Sequence, residues 1–324
     1  MRSCRPPLAL VVLLLALPST GCIKSMLVNG QIAGTRQASG AFDGIDDYEL
    51  AAKAVAAGLV QFEGMHVLAP DNEDALFMLT KGWTGYAFGF AEDDLEVAED
   101  AGDRDAAEYH RARAGAAYQR AIDYGLTLIN SAAGGFDEAK KGEATLKAWL
   151  AESFTSKEDA QPLFWTGYAW IARTNVRKDD AEAVANLYIG VAFVERSVEL
   201  DPDYNNMTGT LVLASYHARA AMAELDQAKE LFERVLAKTE RKSAAALFLY
   251  GSKYACAKAD GASYKKLLDE ALAVEGAPTS MRLTNTLAKR RARRWLGEQR
   301  MFNACAIELA PEPSTEGATS MLLR

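Results

Sequence analysis

Two stretches decide the fold: LYIGVAFVERSVELDP at residues 187–202 and SAAALFLYGSKY at residues 243–254. In the first, Gly190, Val194 and Ser197 alternate small, large and small at helical spacing before Pro202 ends the run. In the second, Leu247, Tyr250, Gly251 and Tyr254 read large, large, small, large on one stripe of a helix. A small residue in such a stripe lets a second helix backbone approach to about 8 Å. Both patterns recur. Leu76, Leu79, Thr80 and Trp83 repeat the second, and Leu211, Ala214, Ser215 and Ala218 follow it more loosely. Gly58, Phe62, Met65 and Pro70 repeat the first with one larger residue, and Ala228, Phe232 and Val235 do so without the proline. The chain therefore reads as consecutive helix pairs, each meeting the next through small residues.

Composition agrees. The 324 residues include 59 Ala against 15 Val and 8 Ile, so the best helix former dominates and the strand-favouring pool is small. With 49% hydrophobic and 25% charged residues, the chain can bury a large core, which excludes disorder over most of its length. Its 44 acids against 36 Lys and Arg, a net charge of -8, argue against a general nucleic-acid binder, which needs clustered cations. Nine prolines and four cysteines exclude a collagenous or disulfide-dense scaffold. The recurring stripes are those of tetratricopeptide repeats. The expected fold is all-α, a tetratricopeptide-like helical-repeat array (an α-α superhelix) of about four to five helix pairs over residues 46–304, with 305–324 a mobile tail.

The N-terminus sets the compartment. Arg2 and Arg5 precede an apolar run from Leu8 to Leu17, followed by small residues into Gly21 and Cys22, which is the order of a signal peptide over residues 1–21. Ten apolar residues span about 15 Å as a helix, half a bilayer core, so the segment is too short to be a membrane anchor. The approach to Cys22 resembles a bacterial lipobox, which implies diacylation of its thiol. Multi-chain acylation supplies the stable anchoring that one chain does not. Ile23, in place of Asp, by the same resemblance implies the outer membrane of a Gram-negative cell. Cleavage removes two cations and leaves 44 acids against 34 bases, a balance of -10. Residues 22–45, with Gly30, Gly34, Gly40 and Gly44, read as a lipidated tether or a loosely packed lead-in strand. Cys256 and Cys305 then remain, either as a disulfide in an oxidising compartment or as two buried thiols.

Catalytic and metal-binding patterns are missing from the sequence. His66, His110 and His217 lie on different expected helices with no two-histidine metal spacing. Lys140-Lys141-Gly142 lacks the upstream glycines of a phosphate loop. Residues 201–206 superficially resemble a calcium loop, but Asn206 stands where that loop needs glycine and Val212 where it needs an acid. The expectation is a protein that is not an enzyme and uses no cofactor or metal.

The residues resemble those of a family, the T component of lipoprotein-associated TRAP transporters. The resemblance covers nearly the whole mature chain. It rests on Cys22, on Pro70-Asp71-Asn72 followed by a helix with Trp83-Thr84-Gly85-Tyr86, and on the Phe164-Trp165 to Trp170 helix. The Asp201-Pro202-Asp203-Tyr204 turn and the later repeat with Ala228 and Phe232 complete it. It implies a lipid-anchored, periplasm-facing accessory that forms a homotrimer, docks a periplasmic solute-binding P component, and offers an apolar pore to a hydrophobic small-molecule ligand. A second reading is a tetratricopeptide-like scaffold lipoprotein for envelope assembly, holding peptides or proteins in a concave groove. A third, weaker one is an envelope hydrolase assembled from residues distant in sequence.

Two clusters are candidates for function. Trp83, Tyr86, Phe88 and Phe90, and then Phe164, Trp165, Tyr168 and Trp170, place large rings on more than one helical face. Trp83 and Tyr168 fall on repeat-core positions, which leaves Tyr86, Trp165 and Trp170 as pore candidates; the bland reading is that all these rings fill the core. Lys289, Arg290, Arg291, Arg293 and Arg294 form a basic run in an acidic protein. It reads as a solvated helix face or, with Arg290, Arg293 and Arg294 as the candidates, as a docking patch for an acidic partner or lipid headgroups. The acidic stretch at residues 92–100 reads as a solubilising connector.

Overall fold

The computed structural model describes residues 19–219 and 224–308, with side chains described from residue 25. They form α1 (Ser19–Ala38), α2 (Tyr48–Leu68), α3 (Glu73–Tyr86), α4 (Glu92–Asp100), α5 (Arg104–Ala132), α6 (Phe136–Ala139), α7 (Glu143–Ser153) and α8 (Ala160–Val176). The second half adds α9 (Ala181–Ala185), α10 (Leu187–Leu200), α11 (Tyr204–His217), α12 (Leu225–Lys238), α13 (Ala244–Leu249), α14 (Gly261–Ala273), α15 (Arg282–Trp295) and α16 (Glu298–Cys305). No strand occurs among the described residues. The fold is the all-α helical array expected.

Local chemistry starts the helices. Asp47, Asn72, Asp103, Ser243 and Asp260 each accept a backbone N–H from the residue three positions on, satisfying an otherwise orphaned donor. Successive helices then pack on one another, α3 on α5, α5 on α8, α8 on α10, and onward through α11 and α12. The small positions lie at these contacts. A Cβ at Gly190 would stand 2.7 Å from that of Trp170, and one at Gly167 would stand 2.7 Å from the Gly190 carbonyl oxygen. Ser197 is buried and donates across the same α8–α10 seam to the Ala160 carbonyl at 2.7 Å.

Residues 22–45 are not a loose tether. They are helical, α1 followed by a 3-10 segment at Ser39–Gly44, and Ile32 is fully buried against Phe62, Met65 and Leu79. Arg36 bonds to Asp74 of α3 and holds α1 in place. The glycines misled because Gly30 and Gly34 face open space on a helix that buries only a narrow stripe. At the other end the body extends past 304: Cys305 and Ile307 are buried, and a disulfide joins Cys305 to Cys256. The signal peptide up to residue 18, and the tail from 309, lie outside the described residues, as does the side chain of Cys22.

The acidic and basic stretches turn out to be partners. Asp93 and Glu96 of α4 expose 2% and 8% of their side chains, and Arg291 and Arg294 of α15 expose 11% and 12%. Arg290 Nε donates to Asp93 at 2.7 Å, Arg291 Nε to Glu96 at 3.1 Å, and Arg294 Nε to the other Glu96 oxygen at 3.2 Å. Trp295 Nε1 also donates to Glu96, and Arg300 Nε reaches Asp100 at 2.6 Å. Tyr48 at the start of α2 donates to Asp93 at 3.0 Å, and Thr286 of α15 donates to the Asp46 carbonyl at 3.3 Å. Residues some 195 positions apart thus close the array on itself. The connector is a buried counter-ion, and Arg290, Arg291 and Arg294 of the basic run are its partners.

Burial pushes the Glu96 carboxyl up, but Arg291, Arg294 and Arg300 outweigh it and hold it at about 2. Its contribution to stability is therefore present above its usual 4.5 and lost as pH falls from about 4.5 towards 2. Glu92, bonded by Tyr118, is raised by burial and works in the opposite sense. Glu96→Gln should lower the unfolding free energy by about 3–5 kcal/mol, because it strands buried guanidinium charge. Urea titrations from pH 6 to pH 2 should also show a flatter acid limb in the variant. Reduction of the Cys256–Cys305 bridge, which spans 49 residues, should cost about 2–4 kcal/mol in the same titration.

Candidate functional site

Inside the closed array lies a cavity of about 360 Å³. One wall comes from the 3-10 segment and α2, with Phe42, Leu59 and Phe62; another from the C-terminal half of α3 and the residues after it, with Phe88 and Phe90. Trp165 and Tyr168 of α8, Phe248 of α13 and Leu287 of α15 complete the apolar surface. Its few polar members are chiefly Asp43, Lys81, Asn205, Asn206 and Arg291. A mostly apolar concavity with a small number of fixed polar groups is the form of a small-molecule site.

Local backbone irregularities shape it. Ala87–Ala91 and Tyr250–Ala255 are π-helical, a rare geometry that tends to mark functional positions, and the first carries both Phe88 and Phe90. Asn205, Asn206 and Met207 adopt consecutive left-handed conformations with φ of 49°, 56° and 61°. Each costs roughly 1–2 kcal/mol for a non-glycine residue, and the turn is held where two of its side chains face the cavity. Gly58 and Gly85 line the space with nothing within 4 Å of a built Cβ, so their missing side chains enlarge it.

Of the three pore candidates the structure brings one to the cavity. Trp165 lines it, with its indole N–H donated to the Tyr204 hydroxyl at 2.9 Å and the Lys81 ammonium 5.7 Å from its ring centre. Burial pushes the Tyr204 hydroxyl up to about 12, so it stays protonated beside the indole. Tyr86 sits on another side of its helix, accepting a bond from Arg113 and packing edge-on against Trp83. Trp170 belongs to the α8–α10 seam, over Gly190. Tyr168, read as a core ring, is a cavity ring: it packs on Phe88 at 5.6 Å between centroids. The sequence pointed to the aromatic helix but not to which face looks inward, because the cavity is bounded by helices remote from α8. Phe42, Phe62, Phe248 and Lys81 carried no signal beyond their helical stripes.

The docking arginines separate likewise. Arg290 and Arg294 are spent on α4, whereas Arg293 is exposed with no hydrogen bond or ion pair among the described residues. No group of His, Cys, Asp and Glu among the described residues could hold a metal ion. In the calcium-like turn, Asp201 and Asp203 pair with Lys157 and Lys238 at 3.4 and 2.9 Å. No helix among the described residues is long and apolar enough to cross a membrane.

The described residues thus form an all-α helical array around a mostly apolar cavity, with acidic and basic side chains pairing where its ends meet. The chain belongs to the TRAP transporter T-component family, whose model matches residues 44–302. It is also 23% identical over 258 residues to an uncharacterized protein of Treponema pallidum (strain Nichols), covering 78% of each chain. Family membership assigns it a role as a transport accessory associated with a TRAP transporter and its P component, and suggests a periplasmic location.

Trp165→Ala should weaken binding of a fluorescent hydrophobic probe about tenfold and, because the ring is buried and bonded to Tyr204, also lower the melting temperature. Trp170→Ala should loosen the α8–α10 seam while leaving near-native affinity in the folded protein. Probe titration and thermal melts of the two variants check this pair.

Proposed function

We propose that this protein is the Cys22-anchored T component of a TRAP-type transporter that docks the solute-binding P component and passes a hydrophobic ligand through its central cavity. Cys22 stands at the start of a helix fastened to the body by Ile32 and Arg36, so a lipid there would hold the body close to the membrane in a restricted orientation. Met26 and Leu27, exposed on that helix, are suited to such apposition. The outer membrane and a homotrimer are part of the same reading. The observation that carries it is the aromatic-lined cavity itself, because a peptide-holding scaffold needs an open polar groove and the α4–α15 closure removes one.

Gly58 supplies the test. Leucine at this position meets open cavity and improves helix propensity, so Gly58→Leu should fill the chamber and leave the fold intact. With a purified P component, the wild type should accelerate delivery of a hydrophobic probe and Gly58→Leu should not. Equal delivery by both would remove the cavity from the mechanism. For docking, Arg293→Glu should slow association with the P component about threefold or more at low salt and have little effect at high salt. An unchanged rate at low salt would exclude this position from the docking face.

A further inference from the structure

Two charges in the cavity wall have no partner of their own. Asp43, on the 3-10 segment, and Lys81, on α3, both line the apolar chamber, and neither makes a hydrogen bond or an ion pair within 4.0 Å among the described residues. Arg291, the third charge in the lining, is matched by Glu92 and Glu96, and the buried Asp93 is matched by two arginines. Half-buried charges against apolar rings are costly unless something satisfies them.

We propose that the cavity takes a single-chain amphiphile with a zwitterionic head, its chain against the aromatic wall, its cation against Asp43 and its anion against Lys81. The proposal rests on the reading of the cavity as the ligand site and names the ligand's chemical class. Opposite charges set too far apart to bond directly leave room for a group carrying both signs. They still sense each other: burial pushes the Asp43 carboxyl up and Lys81 pulls it down. The strained turn lies in the same wall, with the amides of Asn205 and Asn206 at the cavity and the Asn206 oxygen accepting from Ser280 at 3.4 Å. These amides offer further donors and acceptors to a polar head. A carboxylate amphiphile would satisfy Lys81 and be repelled by Asp43, and a neutral one would leave both charges stranded. At about 360 Å³ the cavity lies near the lower end of small-molecule sites, which suits one chain rather than two.

The test compares three probes of one chain length by calorimetry on the full chain: lauroyl lysophosphatidylethanolamine, laurate and dodecanol. The zwitterion should bind about tenfold tighter than either other probe, a difference of about 1.4 kcal/mol. Asp43→Asn should erase most of that preference and strengthen laurate, and Lys81→Met should weaken both charged probes while sparing dodecanol. The exchanged pair Asp43→Lys with Lys81→Asp should restore part of the zwitterion's advantage. If dodecanol and laurate bind as tightly as the zwitterion to the wild type, the head-group assignment is wrong while the cavity reading stands. If no probe binds, the cavity reading fails with it. The wild-type order of affinities decides the proposal even if a variant does not fold.

Discussion

The ion cluster between α4 and α15 makes this molecule a chamber rather than an open superhelix. A solenoid of helix pairs is stabilised between neighbours, and nothing in nearest-neighbour packing requires its last helices to meet its first. Here Asp93 and Glu96 lie almost out of solvent, and each is held by arginines that follow roughly two hundred residues later. Burying charge is expensive, so the cluster is a weak net contributor to stability when complete and a severe liability when a member is missing. Its value is geometric: it admits one register of α15 against α4, and that register carries Arg291 and Leu287 to the cavity wall. Tyr48 and Thr286 extend the closure to the start of α2, whose later residues line the cavity.

Closure and cavity shape are therefore parts of one arrangement. The same α15 that neutralises α4 on one side presents apolar surface to Phe90 and Ala51 on the other. The chamber departs from regular geometry at the π-helical turn with Phe88 and Phe90 and at the left-handed turn at Asn205–Met207. Such departures persist only where surrounding packing over-determines them, and here both border the cavity.

The legible part of the fold was the part governed by short-range rules. Gly190 and Gly251 announced close helix contacts because a Cβ there meets the neighbouring helix, and the caps later seen at Asp47, Asn72 and Ser243 act over the same short range, their oxygens reaching a backbone N–H three residues on. Trp165 was legible as a candidate because aromatic density exceeded what one core face can absorb. Trp170 was not separable from it, since the two differ only in which neighbouring helix they meet. The segment at residues 22–45 misled in the opposite direction: glycines on an exposed helical face look like a linker when the single buried anchor, Ile32, is unknown.

The sequence by itself determined an all-α helical array and a family resemblance that the comparison upheld, with a leader over residues 1–21 as an expectation. Helix propensity, capping and the spacing of small residues act over a few positions and so are written locally. Tertiary structure decided the rest. Whether the acids at 92–100 meet water or the arginines at 290–294, whether Cys256 meets Cys305, and which rings face the cavity all depend on contacts between segments far apart in the chain. Those contacts are fixed by how many helices curve, and by how much, before the ends meet, a sum of small packing angles that no single stretch of sequence records.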